Sequence, residues 1–107
     1  MSKIRASARG EECLVRLEGI CNGNPETTIL AHLNGAGMGT KHIDIFGAYC
    51  CSSCHTVLDK LPTVNHCTSF DDAITLLKFH EGVFRTQKRL LEKGLITIKG
   101  MIGFKIK

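Results

Sequence analysis

Tryptophan is absent from this 107-residue chain, tyrosine occurs once and proline twice. Five phenylalanines are the only other aromatics, so the core has to be mostly aliphatic. No basic segment is interleaved with aromatics, which argues against stacking on exposed bases and for contact with a nucleic-acid backbone if one is bound. No apolar run approaches the roughly 20 residues of a membrane-spanning helix. The basic residues among the first nine are not followed by the apolar stretch of a secretory signal. The expectation is a cytoplasmic protein with no membrane partner. Hydrophobic content of 43% and charged content of 22% exclude a disordered chain. The net charge of +4 is a mild bias that admits a phosphate-rich partner.

What the chain does have is cysteine, six of them in a single small domain spanning residues 1–107. A domain of this size buries a modest fraction of its surface and gains from a staple. In a reducing compartment, metal binding explains such cysteines better than disulfides do. Cys51-Ser52-Ser53-Cys54 has the two-residue spacing that offers two thiolates to one tetrahedral ion, and it opens a helix. Cys13 and Cys21 supply a second pair across a longer spacer, which closes if residues 14–20 form a strand and turn. Cys50 competes with Cys51 for a place in the set, and the spacing favours Cys51. Cys67 has no partner at metal-binding spacing. The four sulfurs of Cys13, Cys21, Cys51 and Cys54 are therefore the expected ligands of a structural Zn²⁺.

The remaining elements follow from periodicity and turn chemistry. Residues 27–33 are rich in β-branched side chains and predict a strand with His32 near its end. Three glycines in residues 34–40 predict a loop, and residues 43–49 stay ambiguous. The helix opened by Cys51 runs to about Leu61 and stops at Pro62. Ser69-Phe70-Asp71-Asp72 forms a helix cap, and the helix should run to Lys93 with Gly94 behind it. Phe70, Ala73, Ile74, Leu77, Phe84 and Leu91 fall on one stripe, the expected packing face, while Gly82 is a candidate bend. Lys78, Arg85, Arg89 and Lys93 line a neighbouring stripe, which reads first as a solvated face. Residues 95–107 alternate as a terminal strand would.

His55 follows Cys54 directly, and Asp59 lies four residues on, hence on the same helical face. An imidazole and a carboxylate so placed can hold a divalent ion. The order of a strand-end His32, a glycine-rich loop and Cys51-Ser52-Ser53-Cys54-His55 resembles the HNH, or ββα-metal, endonuclease family. The likeness is closest to the small YbcO-type nucleases of lambdoid prophages. It also takes in residues 8–13, 20–27, 30–32, 39–41 and Asp44, and so covers about half of the chain.

The resemblance implies an α+β fold: a small zinc-stabilised ββα-metal core over about residues 10–62, extended by a C-terminal helix and short strand over about residues 69–107. It implies a phage-type, metal-dependent endonuclease that hydrolyses phosphodiester bonds in DNA. His32 would be the general base, and His55 would bind a catalytic Mg²⁺ or another divalent ion. Asp59 is a second carboxylate for that ion, and Asp44 is the nearest polar substitute at the catalytic centre. Two positions depart from the pattern: Ala31 stands where the family has an aspartate, and Phe46 where it has an asparagine. These departures motivate an alternative, a non-catalytic zinc module that binds nucleic acid; the modest net charge and the lack of stacking aromatics leave room for a zinc-stapled module that binds a phage or host recombination protein instead. Lys3, Arg5 and Arg9 are the expected phosphate contacts, since they closely precede the first cysteine.

Overall fold

The computed structural model describes residues 2–32, 43–63 and 66–100. Helix α1 (Lys3–Ser7) begins at Ser2, whose hydroxyl caps it by accepting from the Arg5 amide. A long connection with a 3₁₀ turn at Pro25–Thr27 leads into strand β1 (Ile29–His32). A second 3₁₀ turn, Asp44–Phe46, precedes strand β2 (Gly47–Cys50). Helix α2 (Ser52–Leu58) follows at once with Cys51 as its cap, and helix α3 (Phe70–Glu92) is the last element among the described residues. The architecture is a small mixed α+β fold around a two-stranded sheet. The expected loop at 34–40, His42 and the alternating residues 101–107 lie outside the described residues.

Strands β1 and β2 pair antiparallel, with Ile29 opposite Cys50 and His32 opposite Gly47. Side chains alternate across a strand, so the pair divides two apolar clusters. Leu30 and Tyr49 join Ala8 and Leu90 in one. Ala31, Ala48 and Cys50 join the cysteines, Val15, Leu17 and Leu58 in the other. Helix α3 serves both, with Phe79 and Val83 in the second cluster and Leu90 in the first. A two-stranded sheet this short is not stable by itself, so α3 is what makes it a layer of a fold.

Three expectations change. Residues 14–20 are a turn-rich wrap, not a strand, with Arg16 in the left-handed region at φ 56°. Residues 95–100 contain no strand. The buried face of α3 is Phe79, Gly82, Val83, Thr86 and Leu90, whereas Phe70, Leu77 and Phe84 from the expected packing stripe are exposed. The reason lies in Gly82 and Thr86. A Cβ on Gly82 would stand 2.9 Å from Val15 Cγ2 and 3.2 Å from the Leu14 carbonyl oxygen. The glycine therefore lets the wrap lie directly on the helix, which continues unbroken through it. Thr86 donates to the Gly82 carbonyl at 2.7 Å and accepts from the Tyr49 amide at 2.9 Å, satisfying a buried donor of β2. Small and polar residues thus mark the contact face, which a search for large apolar side chains misses.

The basic stripe is also put to internal use. Arg85 donates to the Leu14 carbonyl, Arg89 grips both oxygens of Glu11, and Lys93 reaches Glu11 and the Ser7 carbonyl. These bonds hold the N-terminal segment on α3.

Gly82→Ala should lower stability by about 1–3 kcal/mol through overpacking, although alanine is the better helix former by about 1 kcal/mol. Urea denaturation of the two proteins measures the difference, and an unchanged or higher midpoint would show that the wrap does not rest on the helix.

Candidate metal centre and histidine site

The sulfurs of Cys13, Cys21, Cys51 and Cys54 all lie within 4.8 Å of one another. Cys13 and Cys54 are 3.8 Å apart, and Cys21 and Cys51 are 3.9 Å apart. A tetrahedral ion with bonds of about 2.3 Å to sulfur has sulfur–sulfur edges of roughly 3.8 Å, so the four thiols can hold a metal ion such as zinc. Three of the four side chains are buried. Burial pushes the Cys54 and Cys21 thiols up, and the neighbouring sulfurs add to the rise. A hydrogen bond from Cys50 holds Cys13 down, to about 3. Gathered thiols resist shared ionisation, and a divalent cation is what relieves that repulsion.

The local chain is shaped around these sulfurs. The Cys54 amide approaches the Cys51 sulfur at 3.5 Å, and the amides of Val15, Arg16 and Cys51 face Cys13. This explains why residues 14–20 turn instead of extending. Asn22 ties the Cys21 loop to the start of α2, donating to Ser52 at 3.1 Å and Ser53 at 3.2 Å while its oxygen accepts from the Asn24 amide. Cys50 is not among the four gathered sulfurs. Its thiol stays protonated because it is buried beside the Cys13 sulfur, and that makes it a donor.

His32 is the second centre. Its Nε2 lies 2.7 Å from Asp44 Oδ1, with the ring mostly buried. Asp44 also accepts from Arg5 Nε at 3.0 Å and from the Ser2 hydroxyl at 2.5 Å. These donors, the Ser2 hydroxyl foremost, hold the Asp44 carboxyl well below the usual carboxylate range. An ionised carboxylate only accepts, so in this ring orientation Nε2 carries the proton and Nδ1 is the acceptor. Residues Ser2 and Arg5 lie 42 and 39 positions from Asp44, and no sequence spacing announces them. Arg5 and Arg9 also line a hollow of about 440 Å³ along β1 with Glu26, Thr28 and Leu30. Lys3 is exposed.

On α2, His55 Nε2 and Asp59 Oδ1 are 3.4 Å apart and partly exposed. The helix thus brings that pair together as its spacing required. Among the described residues, the cysteines form the sole cluster of three or more close metal-ligating side chains. His32 with Asp44 and His55 with Asp59 therefore stand as two pairs rather than one compact ligand set.

Asp44→Asn should cost about 1–2 kcal/mol at neutral pH by weakening charge-assisted bonds. Because the folded carboxyl is held below its ordinary value, its contribution is present above that value and fades as pH falls beneath about 4. The stability gap between wild type and variant should close over that window, which denaturation at a series of pH values measures. A pH-independent gap would contradict the assignment.

Comparison with known proteins gives one consistent result. The family described as "Putative nuclease YbcO" matches residues 2–95. A protein of Escherichia coli (strain K12) with the same description is 42% identical over 100 residues, covering 90% of this chain and 98% of that protein. A relative from Enterobacteria phage 82 matches to the same extent. A solved structure of a "putative bacteriophage protein" from Escherichia coli str. K-12 substr. MG1655 superposes with a TM-score of 0.68 at 37% identity, covering 86% of this chain and all of that one. On a family match that takes in both the cysteine centre and the histidine site, this chain belongs to the YbcO family.

Proposed function

We propose that this protein is a metal-dependent endonuclease that hydrolyses phosphodiester bonds in DNA, with His32 as general base. The observation that carries the reading is the bond between His32 and an Asp44 carboxylate that Ser2 and Arg5 anchor. The nuclease description of the YbcO relatives supports it. The HNH-like order of His32, Cys51, Cys54 and His55 supplies the mechanism.

In this mechanism Asp44 fixes the tautomer and orientation of His32, as the carboxylate partner of a catalytic histidine does. Nδ1 takes the proton from a water that attacks phosphorus. Asp44 accepts from Ser2, Arg5 and His32, and in this reading it acts as a positioning residue. His55 and Asp59 are the donors that fit a Mg²⁺-like ion, because such ions take one or two protein ligands and leave the remaining positions to water and phosphate. A divalent ion there supplies charge stabilisation for the phosphate and the leaving oxygen. Arg5 and Arg9, which line the hollow along β1, and the exposed Lys3 contact backbone phosphates. The Cys13, Cys21, Cys51 and Cys54 centre holds a structural Zn²⁺ that fixes the start of α2, and with it His55.

A specific observation keeps the non-catalytic zinc module as the second reading. Ala31 is 2% exposed and packed in the cysteine-side cluster, where no carboxylate could replace it. One of the family's usual metal ligands is therefore missing without a substitute at its own position.

Two experiments separate the readings. Purified protein with Mg²⁺ or Mn²⁺ should nick supercoiled plasmid, and His32→Ala should lower the rate by at least about 100-fold. Equal rates in the two proteins at metal saturation would remove His32 from the mechanism, and salt-sensitive DNA binding without nicking would establish the second reading. Elemental analysis should find about one zinc per chain, lost in Cys51→Ser and retained in Cys50→Ser. Loss in Cys50→Ser alone would exchange the two cysteines' roles.

A further inference from the structure

Helix α3 is apolar on two opposite sides. Its inner side packs Phe79, Val83 and Leu90 against the sheet. On the outer side Phe70 is 79% exposed, Leu77 61%, Phe84 67% and Ile74 37%. At 3.6 residues per turn the two sets lie half a turn apart. The outer positions 70, 74, 77, 81, 84, 88 and 91 step by four and three residues, which is the seam spacing of paired helices. Glu81 and Lys88 are its only charged members. Single exposed apolar residues are ordinary, but a continuous seam of this kind marks an interaction surface.

We infer that this seam pairs with the α3 helix of a second copy of the chain, in antiparallel orientation about a twofold axis. Three features favour that occupant. First, Asp71 flanks the start of the seam and Lys88 stands in it towards the end. Parallel pairing would set each of these against its own like charge. Antiparallel pairing sets Asp71 of each helix near Lys88 of the other. Second, the seam carries its own knob and hole. A hollow of about 610 Å³ is bounded by Phe70, Ala73, Leu77 and His80. Phe84 projects from the same seam two turns further on, so an antiparallel twofold inserts Phe84 of each copy into the hollow of the other. Third, the seam carries a large share of the area needed. Two phenylalanines that each carry on the order of 150–250 Å², together with Ile74 and Leu77, all exposed, supply roughly half of the about 800 Å² per partner of a stable complex. The pairing face is opposite the sheet, so this inference does not depend on the nuclease reading.

Sedimentation equilibrium of the full chain in physiological salt tests it. The expected result is a species of twice the chain mass at micromolar concentration. Leu77→Glu and Phe84→Glu, both at exposed positions, should raise the dissociation constant about thirtyfold or more. Circular dichroism should show each variant folded. Asp71→Lys should weaken the dimer, and adding Lys88→Glu in the same chain should restore it. A monomeric wild type would overturn the inference, as would a dimer that ignores both glutamate substitutions. Failure of the charge exchange to rescue would overturn the antiparallel orientation.

Discussion

Four thiol sulfurs crowded within 4.8 Å are the constraint around which the rest of this chain is arranged. Burial, and to a lesser degree the neighbouring sulfurs, raise the Cys54 and Cys21 thiols, so the gathered group resists shared ionisation without a cation. With one, the apparent binding free energy of a structural zinc site, about 10–16 kcal/mol in small zinc peptides, is of the order of a whole domain's stability. The four come from three separate stretches: the wrap after α1, the end of that wrap, and the cap of α2. Closing the cluster therefore fixes where α2 begins relative to β2. It also accounts for the turn at Arg16, which brings amides to face the Cys13 sulfur.

The sheet and α3 carry that order outward. Four-residue strands cannot hold themselves together, and the buried polar groups of β2 need partners. Thr86 meets the Tyr49 amide, and the Tyr49 hydroxyl meets Ser7 at 2.6 Å. Glu11 then binds Arg89 and Lys93, and these cations, with Arg89 first, depress its carboxyl. The N-terminal segment is thus docked on α3 by polar bonds spanning nearly the whole sequence. That docking delivers Ser2 and Arg5 to Asp44. The histidine pair and the cysteine centre depend in this way on the same helix, reached through different contacts.

The local signals in the sequence were the ones that survived folding. The cap at Ser69, the glycine after α3 and the Cys51–Cys54 spacing each act over a single turn, and each element lies where those signals place it. Readings that needed distant context were less secure. The alternation of residues 14–18 suggests a strand, but the pull of the sulfur cluster overrides it. The apolar stripe of α3 is real, yet the fold buries the other side, because Gly82 and Thr86 fit the wrap and the sheet more closely than phenylalanine could. Asp44 was visible as a polar residue near the site. Its partners Ser2 and Arg5 were not visible, because they are joined to it only through the docking of α1.

The two departures from the HNH pattern gain a physical meaning from this arrangement. Under the proposed mechanism, the base and the metal ligands sit on different supports. His32 and its carboxylate belong to β1, α1 and the 3₁₀ turn at Asp44–Phe46, whereas His55 and Asp59 belong to α2. Ala31 cannot lend a ligand across that gap, because strand alternation sends its side chain into the cysteine-side cluster while His32 faces the other way. Asp44 is turned to the His32 side, where its oxygens accept from Ser2, Arg5 and His32. Under that mechanism the residues that would hold the metal are His55 and Asp59 on α2. Such a site has little freedom in where α2 lies. The register of β1 on β2 and the four-cysteine centre at the cap of α2 are what determine that placement.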